Sequence, residues 1–272
     1  ITRGLIEIDT LYAQLPNSPY VNYGQDFDMV GILKNPGMEP IDDIVINLLS
    51  NGGSVFSDSI TINRLAGIDS VIIAYPVLAD SSSAWEQFSL EISSAIGSLT
   101  GEQVEVHSSS GNNALLRKQI PTDVNIEIFE VPGDSNQIYE ISAGRRFTAR
   151  ALVSKTGESE VYGDMELELD FTGAPGFSVT DSVSRDFAFD VPVEWTLIAS
   201  NDTGMFEVKT KFSGEIIDAN DELSAIGPDS IAFLGVHVVP GSHLLSTLSI
   251  HSPQGAIDGV LSSGQNFVIK DS

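Results

Sequence analysis

The chain has 272 residues and no cysteine, and its 38 acidic against 13 basic residues give a formal net charge of −25. The missing cysteines exclude disulfides, thiolate nucleophiles, iron–sulfur clusters and cysteine-based zinc sites. The negative charge disfavours nucleic acids and anionic membranes as partners, although it can attract cations such as calcium. Hydrophobic residues make up 42% of the chain, enough for a buried core. No apolar run approaches the roughly 18 residues of a membrane span, so we expect no membrane insertion.

Alternating apolar and polar residues predict β-strands along the chain. In chain order, the clearest alternations are at residues 88–92, 104–106, 124–128 and 165–170. Each puts its apolar side chains on one face, which is typical of a sheet with one buried face. Turn signals such as Asn35-Pro36-Gly37 separate the strands at short intervals. No amphipathic helix longer than about two turns is predicted, and residues 81–94 are expected to form a loop and then a strand.

A sequence motif that occurs three times predicts an internal repeat. An aliphatic residue is followed at fixed spacing by Gly, two polar residues and Phe, and the glycines lie 120 residues apart. We expect each Gly to lie where the chain turns into the next strand and each Phe to point into a core. The motif residues are Gly24 and Phe27, Gly144 and Phe147, and Gly264 and Phe267. Upstream, residues 5–8 align with residues 125–128 at the same offset.

The repeat predicts three units: one module at residues 1–121, a second at 122–241, and the first strands of a truncated third module at 242–272. Seven or eight strands in about 120 residues fit two antiparallel sheets packed face to face. We therefore predict an all-β chain of tandem immunoglobulin-like antiparallel β-sandwiches. Pro121 and Pro240 lie at the two junctions and favour stiff, extended connections.

Residues 5–50 have a short strand, a Gly before a Phe-centred strand, an Asn-Pro-Gly turn and an aliphatic strand led by Asp43. This order resembles bacterial immunoglobulin-like modules of the CARDB type (cell adhesion related domain found in bacteria) and the NEW3 type. Residues 122–170 resemble them less, because Asn35-Pro36 has no counterpart there. The resemblance implies a secreted or cell-surface module that serves adhesion or accompanies a secreted hydrolase. It implies no catalytic residues.

The search for chemistry gives one candidate site and no catalytic residue. The four histidines show no metal-ligand spacing, and neither a nucleophile elbow nor a phosphate-binding loop occurs. Oxygen-bearing side chains cluster at Asp218, Asn220, Asp221 and Glu222. These residues are a candidate calcium site or, alternatively, a solvated acidic turn. The cluster lacks the length of an EF-hand loop and lies about twenty residues before the second junction.

The sequence therefore favours a non-enzymatic, extracellular or cell-surface array that acts as a spacer or presents a binding surface. Its expected partners are further modules of the same parent chain and a protein or glycan at the cell surface. One alternative is an accessory region of a secreted protease or glycoside hydrolase. Another is a carbohydrate-binding module, which predicts an exposed row of aromatic side chains on one sheet. Only the two tryptophans, Trp85 and Trp195, and the six tyrosines could supply that row.

Overall fold

The computed structural model describes residues 4–134, 138–241, 249–252 and 268–270, and these residues form strands, turns and loops without any helix. Two separate hydrophobic cores are present. One is built from residues between Ile6 and Leu116, and the other from residues between Val124 and Val238. Each core lies between two facing sheets, so the chain contains tandem immunoglobulin-like β-sandwiches. Within the described residues, no helix exists that could cross a membrane.

Ten strands form the first sandwich. They are β1 Leu5–Gln14, β2 Tyr20–Asn22, β3 Asp26–Asn35, β4 Ile41–Ser50, β5 Val55–Phe56, β6 Ser59–Leu65, β7 Asp69–Leu78, β8 Trp85–Gly97, β9 Glu105–Ser108 and β10 Asn113–Gln119. One sheet has the order β5-β7-β3-β1-β9 and the other the order β2-β10-β8-β4-β6. Most neighbours are antiparallel, whereas β9 joins β1 and β2 joins β10 in parallel.

Eleven further strands belong to the second sandwich. They are β11 Asp123–Glu130, β12 Ile138–Ser142, β13 Arg146–Thr156, β14 Val161–Gly163, β15 Glu166–Asp170, β16 Ser178–Val179, β17 Ser184–Asp186, β18 Val193–Ile198, β19 Gly204–Phe212, β20 Ile216–Asp218 and β21 Ile231–Val239. Its sheets have the orders β11-β13-β18-β16 and β12-β21-β19-β15-β17, and β14 pairs with β20 in a two-stranded ribbon. Two last strands, β22 Ser249–Ser252 and β23 Val268–Lys270, pair antiparallel with each other.

The two sandwiches share a strand order, which allows positions to be matched through the ladders. Phe27 lies opposite Val77 and Phe147 lies opposite Leu197, so these strands correspond at the predicted offset of 120 residues. The first strands differ. Ile8 lies opposite Leu33 and Ile126 opposite Val153, so Ile8 corresponds to Ile126 and not to Ile128. The predicted alignment of residues 5–8 with 125–128 is therefore wrong by two positions. The reason is that the connection after β11 is longer than the connection after β1. The repeat itself and its module limits stay predictions.

The repeat motif lies at equivalent turns of the two sandwiches. Gly24 has φ of +80° and Gly144 has φ of +71°, a left-handed conformation that glycine adopts without steric cost. Phe27 and Phe147 follow on β3 and β13 and are buried in the two cores. A buried side chain of this size contributes about 1.5–3 kcal/mol relative to an exposed one. Gly264 and Phe267 lie outside the described residues.

Candidate functional site at the junction of the sandwiches

A connection of three residues, 120–122, joins β10 of the first sandwich to β11 of the second. The second sandwich holds this connection through its backbone. The carbonyl of Ile120 accepts a hydrogen bond from Glu158 N at 2.9 Å. Thr122 N donates to Asp218 Oδ2 at 3.0 Å, and Thr122 Oγ1 donates to the carbonyl of Ser159 at 2.7 Å. A short connection that is hydrogen-bonded at both ends has few conformations available to it.

The turn after β20 brings the predicted calcium residues to this junction. Asp218 Oδ1 accepts a hydrogen bond from Asn220 N at 2.9 Å, a local contact that favours turns. Glu222 closes the turn with φ of +58°, and its N–H donates to the carbonyl of Asp218 at 3.0 Å. The ribbon of β14 and β20 thus folds the turn back toward the first sandwich. The turn therefore lies at the first junction in space, although it is about twenty residues from the second junction in sequence.

Asn220 is the centre of the contact between the sandwiches. Its side chain is fully buried. Its Nδ2 donates to Asn22 Oδ1 at 2.9 Å and to Gln119 Oε1 at 2.8 Å. Its Oδ1 accepts from Asn17 Nδ2 at 2.9 Å, and its carbonyl accepts from Gln25 Nε2 at 2.8 Å. One residue of the second sandwich therefore uses its whole side-chain amide and its carbonyl to bind four side chains of the first.

Asp218 and Asp221 surround this amide network with carboxylates. Asp221 Oδ2 accepts from Asn22 Nδ2 at 2.9 Å, and Ser159 Oγ donates to Asp218 Oδ2 at 2.6 Å. Burial of Asp218 raises its pKa, but hydrogen bonds from Ser159, the Thr122 N–H and the Asn220 N–H outweigh burial and leave the pKa below its ordinary 3.8. Asp218 is therefore an ionised carboxylate that neutral donors hold in place.

These observations decide between some of the sequence interpretations. A solvated turn is wrong for Asp218 and Asn220, which are buried, although Glu222 is exposed. In the described part of the chain, no three His, Cys, Asp or Glu side chains come together as a possible metal site. Calcium binding by the turn stays a prediction. An open cleft of 560 Å³ lies beside the turn and is lined by residues of both sandwiches, including Asp26 and Asp123.

The four partners of Asn220 in the first sandwich were missed in the sequence. Asn17, Asn22, Gln25 and Gln119 are neutral amides, of which Gln25 alone is a polar position after the Gly of the repeat motif, and they lie between 101 and 203 residues from Asn220. The only local signal was the turn residue Gly24 beside Gln25. A buried amide cluster is recognisable only when the fold brings its members together.

The aromatic residues divide into buried and exposed sets. Trp195 lies in the second core and Tyr75 in the first, so neither can form a binding platform. Trp85 is 52% exposed on the outer face of β8, where the guanidinium of Arg117 lies 5.8 Å from its ring centroid. Arg117 also pairs in register with Tyr20 on β2. The three side chains thus form a row across β8, β10 and β2, with Tyr20 partly buried at its end.

This row ends in a second cleft at the junction. The cleft has a volume of 230 Å³, and the second sandwich contributes Glu158 and Glu160 to its wall opposite Tyr20 and Arg117. Two of the four histidines have described side chains, and both lie away from this row. His107 on β9 contacts Glu105 and His237 on β21 contacts Glu140, and all four side chains are solvent-exposed.

Comparison with known proteins adds little to this description. No protein-family model matches the chain, and no curated protein does. Among solved structures, the CARDB domain of a Pyrococcus furiosus protein is 11% identical, covers 43% of this chain and 95% of its own, and has a TM-score of 0.27. A non-cellulosomal cohesin from the archaeon Archaeoglobus fulgidus is 15% identical, covers 40% of this chain and 89% of its own, and has a TM-score of 0.25.

A third match is the alkylpurine DNA glycosylase AlkC of Pseudomonas fluorescens bound to DNA. It is 11% identical with a TM-score of 0.26, and the match covers 42% of this chain and 30% of the glycosylase. The chain thus spans less than a third of that enzyme's length. Likenesses of this strength carry no argument about activity, and the fold rests on the strands and cores described above.

Proposed function

We propose that the chain is a non-catalytic spacer of the cell exterior, in which two sandwiches are held end to end to separate or present other parts of a larger protein. The observation that supports this proposal is the buried Asn220 contact. A flexible array needs no such contact, whereas a spacer keeps its reach only if the angle between its modules is fixed. The cell-surface partner, a protein or a glycan, would meet loop tips or sheet edges.

The contact can hold that angle because it is polar and satisfied. Removing the partners of a buried amide costs about 1–3 kcal/mol of free energy for each group left unsatisfied. Any orientation that separates Asn220 from Asn17, Asn22 and Gln119 is therefore disfavoured. Apolar contacts tolerate sliding, whereas directional hydrogen bonds fix one register. An acidic surface also keeps neighbouring arrays apart in solution.

The absence of native cysteine makes the angle measurable. Glu91→Cys and Glu194→Cys place one spin label on an exposed position of each sandwich. We expect a narrow distribution of distances between the labels in the otherwise unchanged chain. Asn220→Ala should broaden the distribution and lower the stability of the contact by about 1–3 kcal/mol, because several amides lose their partners.

Asn113→Ala is the matched control, since Asn113 is exposed and its Oδ1 accepts only a long side-chain hydrogen bond from Gln87 at 3.2 Å. This variant should keep the narrow distribution. A broad distribution in the parent chain, or a narrow one in Asn220→Ala, would contradict the proposed spacer.

Calcium remains a separate proposal for the same turn. If Asp218, Asn220, Asp221 and Glu222 hold the ion, EDTA should lower the melting temperature and added calcium should raise it, because a ligand stabilises the state that binds it. An unchanged melting temperature in both conditions would remove calcium and leave the hydrogen-bonded contact as the role of the turn.

The exposed row of Trp85, Arg117 and Tyr20 supports a second candidate function, the binding of a neutral glycan. Aromatic faces pack against the apolar faces of sugar rings, while Arg117, Glu158 and Glu160 offer donors and acceptors to hydroxyl groups. Glycan-array binding that is lost in Trp85→Ala and kept in Tyr162→Ala would support this function. Tyr162 is the control because it is 51% exposed but lies on β14, outside the row. If the chain binds no glycan on the glycan array, the spacer remains as the proposed function.

A further inference from the structure

Lys118, Asp80 and Glu86 form a buried ionic cluster at one end of the first sandwich. Lys118 on β10 has a side chain that is 1% exposed, as is that of Glu86 on β8. The Lys118 Nζ lies 2.9 Å from Glu86 Oε2 and contacts Asp80 Oδ1 as well. Asp80 follows β7 and keeps 25% of its side chain exposed. Lysine is almost never buried this deeply unless it is paired, and here the pairing is with two carboxylates.

Neighbouring groups hold the two carboxylates in fixed and different ways. Glu86 accepts hydrogen bonds from the hydroxyls of both Ser50 and Ser54, so its two oxygens are tied. Asp80 Oδ2 accepts a hydrogen bond from Ser82 N at 3.1 Å. The amine therefore faces one carboxylate that is fully enclosed and one that borders solvent.

The matching place in the second sandwich carries no such charges. Lys118 lies beside Val21 in the ladder, and Val238 lies beside Ile141 at the matching place in the second sandwich. Matching the neighbouring strands in the same way puts Phe206 at the place of Glu86. A buried ion pair is on average no more stabilising than apolar side chains of similar volume. The cluster therefore calls for a role other than packing.

The geometry points to a covalent modification site: an isopeptide bond between Lys118 Nζ and Asp80 Cγ, formed within the folded chain with Glu86 as the proton carrier. The reaction needs no oxidant, cofactor or second protein, since an amine and a carboxylic acid condense to an amide and water. The contact between the ends of the Lys118 and Asp80 side chains supplies the proximity that such a reaction lacks in free solution.

Lys118 Nζ gives a proton to Glu86 Oε2, which passes it to one oxygen of Asp80, and the neutral amine attacks Cγ of the resulting carboxylic acid to form the carbon–nitrogen bond. A second proton then leaves the nitrogen, and Glu86 relays it to the same oxygen of Asp80. The carbon–oxygen bond then breaks, this oxygen leaves as water, and Glu86 returns to its carboxylate form. One ammonium and one carboxylate thus become one amide and one water molecule.

Asp80 suits the acceptor role and Glu86 the carrier role. The Ser82 N–H points at Asp80 Oδ2 and can stabilise negative charge that develops there during attack. The partial exposure of Asp80 gives the departing water a path to solvent, whereas Glu86 is enclosed. Glu86 also touches the amine directly, as a proton carrier must.

The protonation state of Lys118 determines how fast the isopeptide bond forms. Burial lowers the pKa of Lys118, but hydrogen bonds and the charges of Asp80 and Glu86 raise it overall. The ammonium form therefore predominates, and the amine reacts from a minor neutral population. We expect the bond to form after folding and to accumulate slowly in the purified protein.

The bond would join the two sheets of the first sandwich. Asp80 follows β7 of one sheet and Lys118 lies on β10 of the other. It would also tie the last strand before the junction to the sandwich, at the residue next to Gln119, which binds Asn220. A force applied along the chain would then be resisted by a covalent bond and not only by the hydrogen bonds at the edge of a sheet.

Intact mass of the full chain after prolonged incubation at neutral pH tests this inference. We expect a mass below that of the sequence by one water molecule, and a proteolytic peptide pair linked through Lys118 and Asp80. Lys118→Met and Asp80→Ala should both restore the full mass. Glu86→Gln should keep the pair in place but slow the loss of water at least tenfold, because glutamine cannot carry the proton.

A full, unmodified mass in the incubated parent chain would overturn the inference, since that measurement depends on no variant and requires no folding of one. A link from Lys118 to Glu86 in the peptide map would overturn the assignment of Asp80 as acceptor. Unchanged formation in Glu86→Gln would overturn the role of Glu86.

Discussion

The same corner of the two sandwiches holds charged side chains in the first and uncharged side chains in the second. Lys118, Asp80 and Glu86 meet in the first sandwich, and the matching ladder places in the second hold Val238, Ser200 and Phe206. The turns themselves match. Asp80 Oδ2 accepts from Ser82 N at 3.1 Å, and Ser200 Oγ accepts from Asp202 N at 3.1 Å. The two turns thus have the same backbone hydrogen bond, whereas the side chains at the corner differ.

The neighbours of this corner change together with it. Ser50 and Ser54 bind Glu86 in the first sandwich. In the second, Phe177 packs on Phe206 with ring centroids 5.2 Å apart. One sandwich fills the space with a hydrogen-bonded carboxylate and the other with two phenylalanine rings in tilted contact. The same strand order therefore accommodates either arrangement, so the strand order alone does not explain the buried charges of the first sandwich.

The largest expected effect on stability comes from placing a lysine in this corner of the second sandwich, where it has no carboxylate partner. Val238→Lys would bury an ammonium among phenylalanines with no carboxylate beside it. We expect the second sandwich to lose about 3–5 kcal/mol of unfolding free energy, the cost typical of an unpaired buried charge. Chemical denaturation of the full chain, followed by the fluorescence of Trp195 for the second sandwich, measures it.

Val238→Met is the control and should cost under about 1.5 kcal/mol, because it changes volume and not charge. Val238→Lys combined with Phe206→Glu should recover part of the loss. Equal stability of Val238→Lys and Val238→Met would show that the corner is open to solvent and that the two sandwiches differ less than their side chains suggest.

Much of this comparison could be predicted from the sequence, and its main feature could not. Alternation predicts the all-β fold, which is confirmed, and it also indicates the buried lysine. Leu116 and Lys118 are two residues apart on one strand, so a buried Leu116 implies an inward Lys118. Nothing in the sequence connects Lys118 with Asp80 and Glu86, because these lie in a turn and on another strand.

The junction shows the same limit. The turn at residues 218–222 was recognised as a candidate site from its oxygens, but its partners were not. The position of a turn in the sequence says little about its place in a sandwich, since the ribbon of β14 and β20 reverses the chain. Side-chain amides carry no charge pattern, so only their contacts reveal them.

A smaller effect is expected where both sandwiches hold a carboxylate against the start of their first strand. Glu39 accepts from Gly4 N at 3.1 Å in the first sandwich, and Asp218 accepts from Thr122 N at 3.0 Å in the second. Hydrogen bonds from the backbone of Thr100 lower the pKa of Glu39, and the bonds described above lower that of Asp218. Each folded pKa lies below its unfolded value, so the stabilisation is present at neutral pH and is lost as pH falls below about 4.

Asp218→Asn should flatten this acid dependence for the second sandwich and cost about 1–3 kcal/mol at neutral pH, because its new amide faces donors in place of an acceptor. Glu39→Gln should act on the first sandwich alone. Denaturant unfolding between neutral pH and pH 3 measures both. Loss of the acid dependence in both sandwiches from one substitution would mean that the carboxylates act through the shared junction.

The smallest expected effect separates the two large aromatic residues at matching core positions. Tyr75 lies opposite Met29 and Trp195 opposite Ala149. The Tyr75 hydroxyl donates to the carbonyl of Ile46 at 2.7 Å, whereas Trp195 Nε1 has no hydrogen-bond partner within the described residues. Burial raises the pKa of Tyr75 to about 12 from an ordinary 10.0. Tyr75→Phe should therefore cost only about 1 kcal/mol at neutral pH, the value of one hydrogen bond.

Alkaline pH sharpens this difference. Above pH 10 an unfolded tyrosine loses its proton while the folded Tyr75 keeps its own, so the unfolded state binds fewer protons and stability falls as pH rises. The first sandwich should show this decline between pH 10 and 12, and Tyr75→Phe should remove it. Trp195 cannot ionise, so its position adds no such decline to the second sandwich. An alkaline decline of the first sandwich that persists in Tyr75→Phe would place its origin in other groups and end the contrast between the two cores.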